Sequence, residues 1–90
     1  MENYKKILRN KELNGTEKML LMFFVEDEST KNLSNRVLGS MCGITGVTVS
    51  NTIKSLLIKG YIGVSYADNG LSREVILTNR LEEVFELSLA

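Results

Sequence analysis

The residues with chemistry on offer sit together: Thr45, Gly46, Val47 and Thr48, followed by Ser50, Asn51 and Lys54. These side chains are small, hydroxylic or amidic, with one ammonium and no carboxylate among them. An Asn amide donates and accepts at once, so Asn51 can pair with the N6 and N7 edge of adenine. A Val or Thr methyl can meet a thymine methyl, and Ser50 can donate to or accept from a base edge. Lys54, one turn further along a helix, suits a phosphate or a guanine. Bond-making chemistry has much less to draw on. The chain has no His and one Cys, which excludes a Ser-His-Asp triad, a Cys-His pair and a zinc cluster. No paired carboxylates or nucleophile–base pair stand out, so we expect no enzyme, no catalytic or metal-ligating residue and no cofactor.

Ninety residues argue for one domain spanning 1–90. A core of this size hides only about 60% of the unfolded surface, so a second subunit would stabilise it. The single Cys forms no intrachain disulfide, and the N-terminus (Met1-Glu2-Asn3-Tyr4) lacks a secretory apolar stretch. The longest apolar run, Met19 to Val25, has seven residues, too few to span a bilayer. The expectation is a cytoplasmic protein without membrane contact.

Eleven basic and eleven acidic residues sum to a net charge of zero, but they are not mixed evenly. From Ser29 to Ala67 there is no acidic residue, while Lys31, Arg36, Lys54 and Lys59 fall in that window. Residues 16–28 carry four acids and one base, and residues 68–90 carry five acids and two bases. A cationic middle between acidic flanks is an argument about partners rather than about fold.

The elements that must position these residues follow from periodicity. Tyr4, Ile7 and Leu8 mark a first helix within residues 3–12, which Asn14-Gly15 is expected to end with positive φ. Thr16 is then the expected N-cap of a second helix, with Glu17 in its first turn beside the dipole. The run Met19–Val25 is apolar around the whole helix and must be covered on several sides, by this chain's core or by a second subunit. Ser34 caps a two-turn helix with Val37, Leu38 and Met41 inward, and Gly43 stops it. Cys42 reads as a small apolar filler or a redox-sensitive thiol.

Thr45 caps a longer helix from Gly46 to Lys59, whose inward stripe is Val49, Ile53, Leu56 and Leu57 and whose other face reads Val47, Thr48, Ser50, Asn51, Lys54 and Ser55. Lys59 suits the last turn and Gly60 the C-cap. Residues 61–66 alternate as a strand, Asp68-Asn69-Gly70 signals a turn, and Arg73–Leu77 returns. Asn79 and Glu82 are spaced as a capping box for a final helix within 79–89, with Leu81, Val84, Phe85 and Leu89 inward. The predicted fold is mainly α with a small β-hairpin, in the order α-α-α-α-β-β-α.

A two-turn helix, a tight Gly-containing turn, a longer helix with a polar face and a hairpin together resemble a winged helix-turn-helix DNA-binding domain. The residues carrying the likeness are Leu33-Ser34, Val37-Leu38, Cys42-Gly43-Ile44-Thr45, Thr48-Val49, Ile53, Leu56 and Lys59-Gly60-Tyr61-Ile62. The helix-turn-helix covers about 33–60 and the wing about 61–77, and the close from Arg73 to Leu77-Thr78 is similar to the wing end of MarR-like regulators. Gly39 departs from the pattern, standing where such domains often carry Ala. Centromere-binding adaptors of plasmid and phage partition systems, and replication DNA-binding modules, are similar compact winged helices. The resemblance implies sequence-specific binding of double-stranded DNA by a homodimer, with a repressor-like, partition or replication role.

On that reading Gly46, Val47, Thr48, Ser50 and Asn51 approach base edges, with Thr45 at their start and Lys54 on phosphate or guanine. Ser34 holds a phosphate at its helix N-terminus, and Asn69 and Arg73 reach the adjacent minor groove or backbone. Arg36 and Arg73 read equally as solvated charges. A winged helix used only to dock another protein is the alternative class, kept open by the zero net charge and by Glu82, Glu83 and Glu86.

Overall fold

The computed structural model describes residues 2–67 and 72–86 of the chain. It is mainly helical with one two-stranded antiparallel hairpin: α1 (Glu2–Arg9), α2 (Gly15–Glu26), a 3-10 turn (Glu28–Asn32), α3 (Asn35–Cys42), α4 (Gly46–Ile58), β1 (Ile62–Tyr66), β2 (Arg73–Leu77) and α5 (Arg80–Phe85).

The entry into α2 differs from the sequence expectation. Asn14, not Thr16, is the N-cap: its side chain accepts from the Glu17 amide at 2.8 Å, and the Glu17 carboxylate accepts from the Asn14 amide at 2.9 Å. A capping box needs an acid three residues after the cap. Asn14 has Glu17 at that spacing, whereas Thr16 has Met19. Gly15 therefore lies inside the helix, and positive φ among glycines belongs to Gly43 and Gly60. The turn out of α1 comes earlier, where the Asn10 side chain accepts from the amides of Glu12 and Leu13.

Leu20, Leu21 and Phe24 of α2 are buried, with Met22 and Val25 packed beside them. That part of the run is covered by this chain, from α1, α4, β2 and the 3-10 turn, while Met19 and Phe23 are half-buried. That turn was not legible as an element. It closes where Thr30, fully buried, places its hydroxyl 2.6 Å from the Asp27 carbonyl and 2.9 Å from that of Phe23.

Ser34 caps α3 by accepting from the Val37 amide, and Gly43 ends it at φ 72°. Thr45 caps α4 by accepting from the Thr48 amide at 3.1 Å. Three residues separate the helices, and their axes differ in direction by 102°. A Cβ on Gly39 would lie 2.6 Å from the Ile44 carbonyl oxygen, inside contact distance of backbone. Only glycine permits so close an approach of α3 to the turn, which accounts for its place there.

The inward face of α3 is Leu38 and Gly39 with Cys42 alongside, while Val37 and Met41 are exposed. The expected stripe was one residue out of phase, a 100° rotation that a two-turn helix is too short to reveal. In α4, Val49, Ile53 and Leu56 are buried as expected, but Thr52 takes the place of the more exposed Leu57. Thr52 can be buried because its hydroxyl donates to the Thr48 carbonyl at 2.7 Å.

The hairpin pairs Ile62 with Leu77, Val64 with Val75 and Tyr66 with Arg73, and Ile62 and Val75 reach the core. Asp68-Asn69-Gly70 lies outside the described residues. The Asn79–Glu82 capping box does not form, because Asn79 is itself helical (φ −62°, ψ −19°) and its side chain caps nothing. Thr78 makes the junction, its hydroxyl donating to the Gly60 carbonyl at 2.6 Å. Leu81 and Phe85 of α5 are buried, and the Phe85 ring lies 5.1 Å from that of Tyr61. Val84 is exposed, and Leu89 falls outside the described residues. Among the described residues no single helix is long and apolar enough to cross a membrane.

Candidate nucleic-acid interface

Helix α4 carries polar residues on two sides, and they have different fates. Toward the interior, Ser55 donates to a Glu17 carboxylate oxygen at 2.6 Å, and the Lys59 ammonium reaches both Glu17 oxygens at 2.8 and 2.9 Å. Glu17 is 1% exposed and the Lys59 side chain 34%. Burial alone would raise the Glu17 pKa, but hydrogen bonds from Lys59, Ser55 and the Asn14 amide outweigh it and hold the carboxyl below its ordinary value. The sequence reading of Glu17 as a helix-dipole residue, of Lys59 as a last-turn cation and of Ser55 as part of the outer polar face missed this knot. Their separation of 42 residues leaves no local signal.

The outward side is open. Val47, Asn51, Lys54 and Ile58 recur at i, i+4, i+7 and i+11, one stripe along the helix. Val47 is 72% and Ile58 87% exposed. Thr48 is also exposed, and Ser50 is half-buried at the edge of the stripe. Among the described residues, no hydrogen bond or ion pair engages the side chains of Ser50, Asn51 or Lys54. The Thr45 hydroxyl is taken up in capping and lies 3.0 Å from that of Thr48. Gly46 starts the helix against α3, where an added Cβ would sit 3.8 Å from the Arg36 amide nitrogen.

Beside the stripe, Ser50 and Lys54 share a crevice with Asn35 at the start of α3 and with Tyr66 and Arg73 of the hairpin. A second cleft continues past Ser34 and Ser72. The structure therefore brings Ser34, Ser50, Lys54 and Arg73 to one side of the molecule, together with Asn35 and Tyr66, which the sequence did not single out. Tyr66 reads as the last apolar residue of an alternating strand, and only the hairpin's projection past the core exposes it. Asn69 lies outside the described residues.

Arg73 is turned inward. Its guanidinium donates to the Asn35 side-chain oxygen at 2.7 Å and to the Leu33 carbonyl at 2.9 Å. The sequence expectation of a free basic side chain on the hairpin does not describe this geometry. The cationic window also thins. Lys59 is paired with Glu17, and Lys31 lies 3.6 Å from Glu28. Of its four bases, Arg36 and Lys54 have no ion-pair partner among the described residues. Glu28, Glu74 and Glu82 line a groove between the 3-10 turn, β2 and the start of α5, away from the α4 stripe.

Cys42 is partly buried with its thiol pushed up by that burial, which makes it a poor thiolate and favours the filler reading. Among the described residues no cluster of three or more His, Cys, Asp or Glu is arranged to hold a metal ion. No protein-family model, no curated protein and no solved structure matches the chain.

Proposed function

We propose that the chain is a winged helix-turn-helix domain that binds double-stranded DNA with α4 in the major groove and the hairpin as the wing. One observation carries this reading: the second helix of a 102° helix–turn–helix presents a stripe whose polar groups have no partner among the described residues. Helix-turn-helix motifs cross at about 90–120° and read base edges with the second helix. Gly46, Val47 and Thr48 allow close approach, Asn51 pairs with adenine, and Lys54 takes a phosphate or guanine. Ser34 offers the N-terminus of α3 to the backbone.

Of the four bases in the acid-free window, two, Arg36 and Lys54, have no ion-pair partner among the described residues, which limits the electrostatic part of binding through this face. The logarithm of affinity should fall with that of salt at a slope of about −2 per subunit, roughly 0.9 for each neutralised phosphate. A second copy, joined through α1 and α5 where Leu8 and Val84 are exposed, would supply the remaining affinity and match a two-fold site. Occluding a promoter makes the protein a repressor, and coating tandem repeats makes it a partition or replication adaptor. Footprints separate these by one short site or extended coverage.

A protein partner is the second reading, favoured by the exposed Val47 and Ile58 at either end of the stripe. The deciding experiment selects bound duplexes from random DNA at low salt. Recovery of a common sequence is expected; retention of no duplex would overturn DNA binding and leave the protein-docking reading.

A further inference from the structure

We propose that Arg73 is a positioning residue that straps the hairpin to the start of α3, and that it does not contact DNA. The inference rests on the DNA-binding reading for its consequence but not for its geometry. Arg73 is the first residue of β2 and pairs in register with Tyr66, the last residue of β1. From there its two terminal nitrogens reach acceptors on either side of Ser34: the Leu33 carbonyl before it and the Asn35 side chain after it. The strap thus grips the cap of α3 from both sides, joining parts of the chain 38 and 40 residues apart.

Two features separate this from a surface cation that happens to lie flat. The Nε atom is buried without a hydrogen-bond partner, a desolvation penalty that an Arg extended toward solvent would escape. The guanidinium also uses its planar fork on two acceptors at once, which a lysine's point-like ammonium does not reproduce. The consequence for recognition is spatial. Arg73 borders the same crevice as Ser50 and Lys54 of α4, together with its cross-strand neighbour Tyr66. Fixing the start of β2 to α3 therefore fixes how far the Tyr66–Arg73 pair of the hairpin stands from the α4 stripe. A wing held at one distance meets one point on the duplex relative to the bases read by α4, so the strap contributes to specificity without touching DNA.

The test compares Arg73→Lys, Arg73→Gln and Asn35→Ala in the full chain, on the selected duplex, across a salt series. A positioning role requires all three to weaken specific binding by about tenfold, the scale of a charge-assisted hydrogen bond, with the wild-type salt slope retained. A phosphate contact predicts the opposite: Arg73→Lys binds like wild type, and Arg73→Gln loses about 0.9 from the slope. That pattern would overturn the proposal. Amide exchange on the free proteins gives an arm independent of DNA. Faster exchange at Ser65 and Glu74 is expected in Arg73→Lys and Asn35→Ala, since both release the strap. Unchanged exchange in both would also overturn it. A wild type that retains no duplex sinks the DNA reading alone, because the exchange arm still decides the strap.

Discussion

The two polar sides of α4 are less than two turns apart, yet they are opposite in kind. On one side Ser55 and Lys59 converge on a buried carboxylate, and every hydrogen bond there ends inside the molecule. On the other, Asn51 and Lys54 end in solvent with no intramolecular partner among the described residues. Residue type does not separate them, since each side has a short polar side chain and a lysine. What separates them is whether a partner exists within the fold. Polar groups already satisfied hold the helix in place; those left over are the ones available to another molecule.

Glu17→Ala attacks the inward side and has the largest expected effect. It removes the pair with Lys59, the partner of Ser55 and half of the capping box. Breaking a buried pair costs about 3–5 kcal/mol, and Lys59, a third exposed, rehydrates to bring the loss to the low end, about 3 kcal/mol by denaturant titration. The same knot sets an acid limit. A carboxyl held below its ordinary value of 4.5 contributes stability that is fully present above that pH and is lost as pH falls through the lower folded value. Wild-type stability should therefore decline below about pH 4.5 with a contribution that Glu17→Gln lacks. Parallel curves for the two proteins would show that the pair is not where this pH dependence originates.

Asn51→Ala attacks the outward side and should do the reverse. Specific DNA binding falls by about 1–2 kcal/mol with base preference relaxed at one position, while the melting temperature stays within error. Lys54→Gln sharpens the same side with a smaller effect. All duplexes bind slightly less well, and the salt slope drops by about 0.9 per subunit. If either change altered stability as Glu17→Ala does, the division of α4 into a structural and a recognition side would fail.

Legibility followed the range of the interaction. Ser34, Gly43 and Thr45 were readable as caps and stop because each bonds within a few residues of itself. The Val49, Ile53 and Leu56 stripe was readable because a helix of 13 residues, more than three turns, defines a phase. The two turns of α3 do not, and Val37 and Met41 were placed inward wrongly. Gly39 appeared as a departure from a pattern until its approach to the Ile44 carbonyl supplied the reason. Val47, Asn51 and Lys54 of the stripe were readable because a small, polar and acid-free run is a compositional fact, while Ile58 was not named and Ser55 turns to Glu17 instead.

The sequence by itself determined the order of the α-helices and strands, the cap and stop of α3 and the cap of α4, most of the core, and Val47, Asn51 and Lys54 of the outward stripe. Each depends on contacts between near neighbours or on a periodicity that one segment contains. Tertiary structure alone decided which cations remain unpaired. Lys59 and Arg73 look as available as Lys54 in the chain, but folding brings Glu17 to one and the start of α3 to the other. A charge count cannot anticipate that, since the attraction of an ion for its partner depends on distance through space and on burial, and neither is written along the chain.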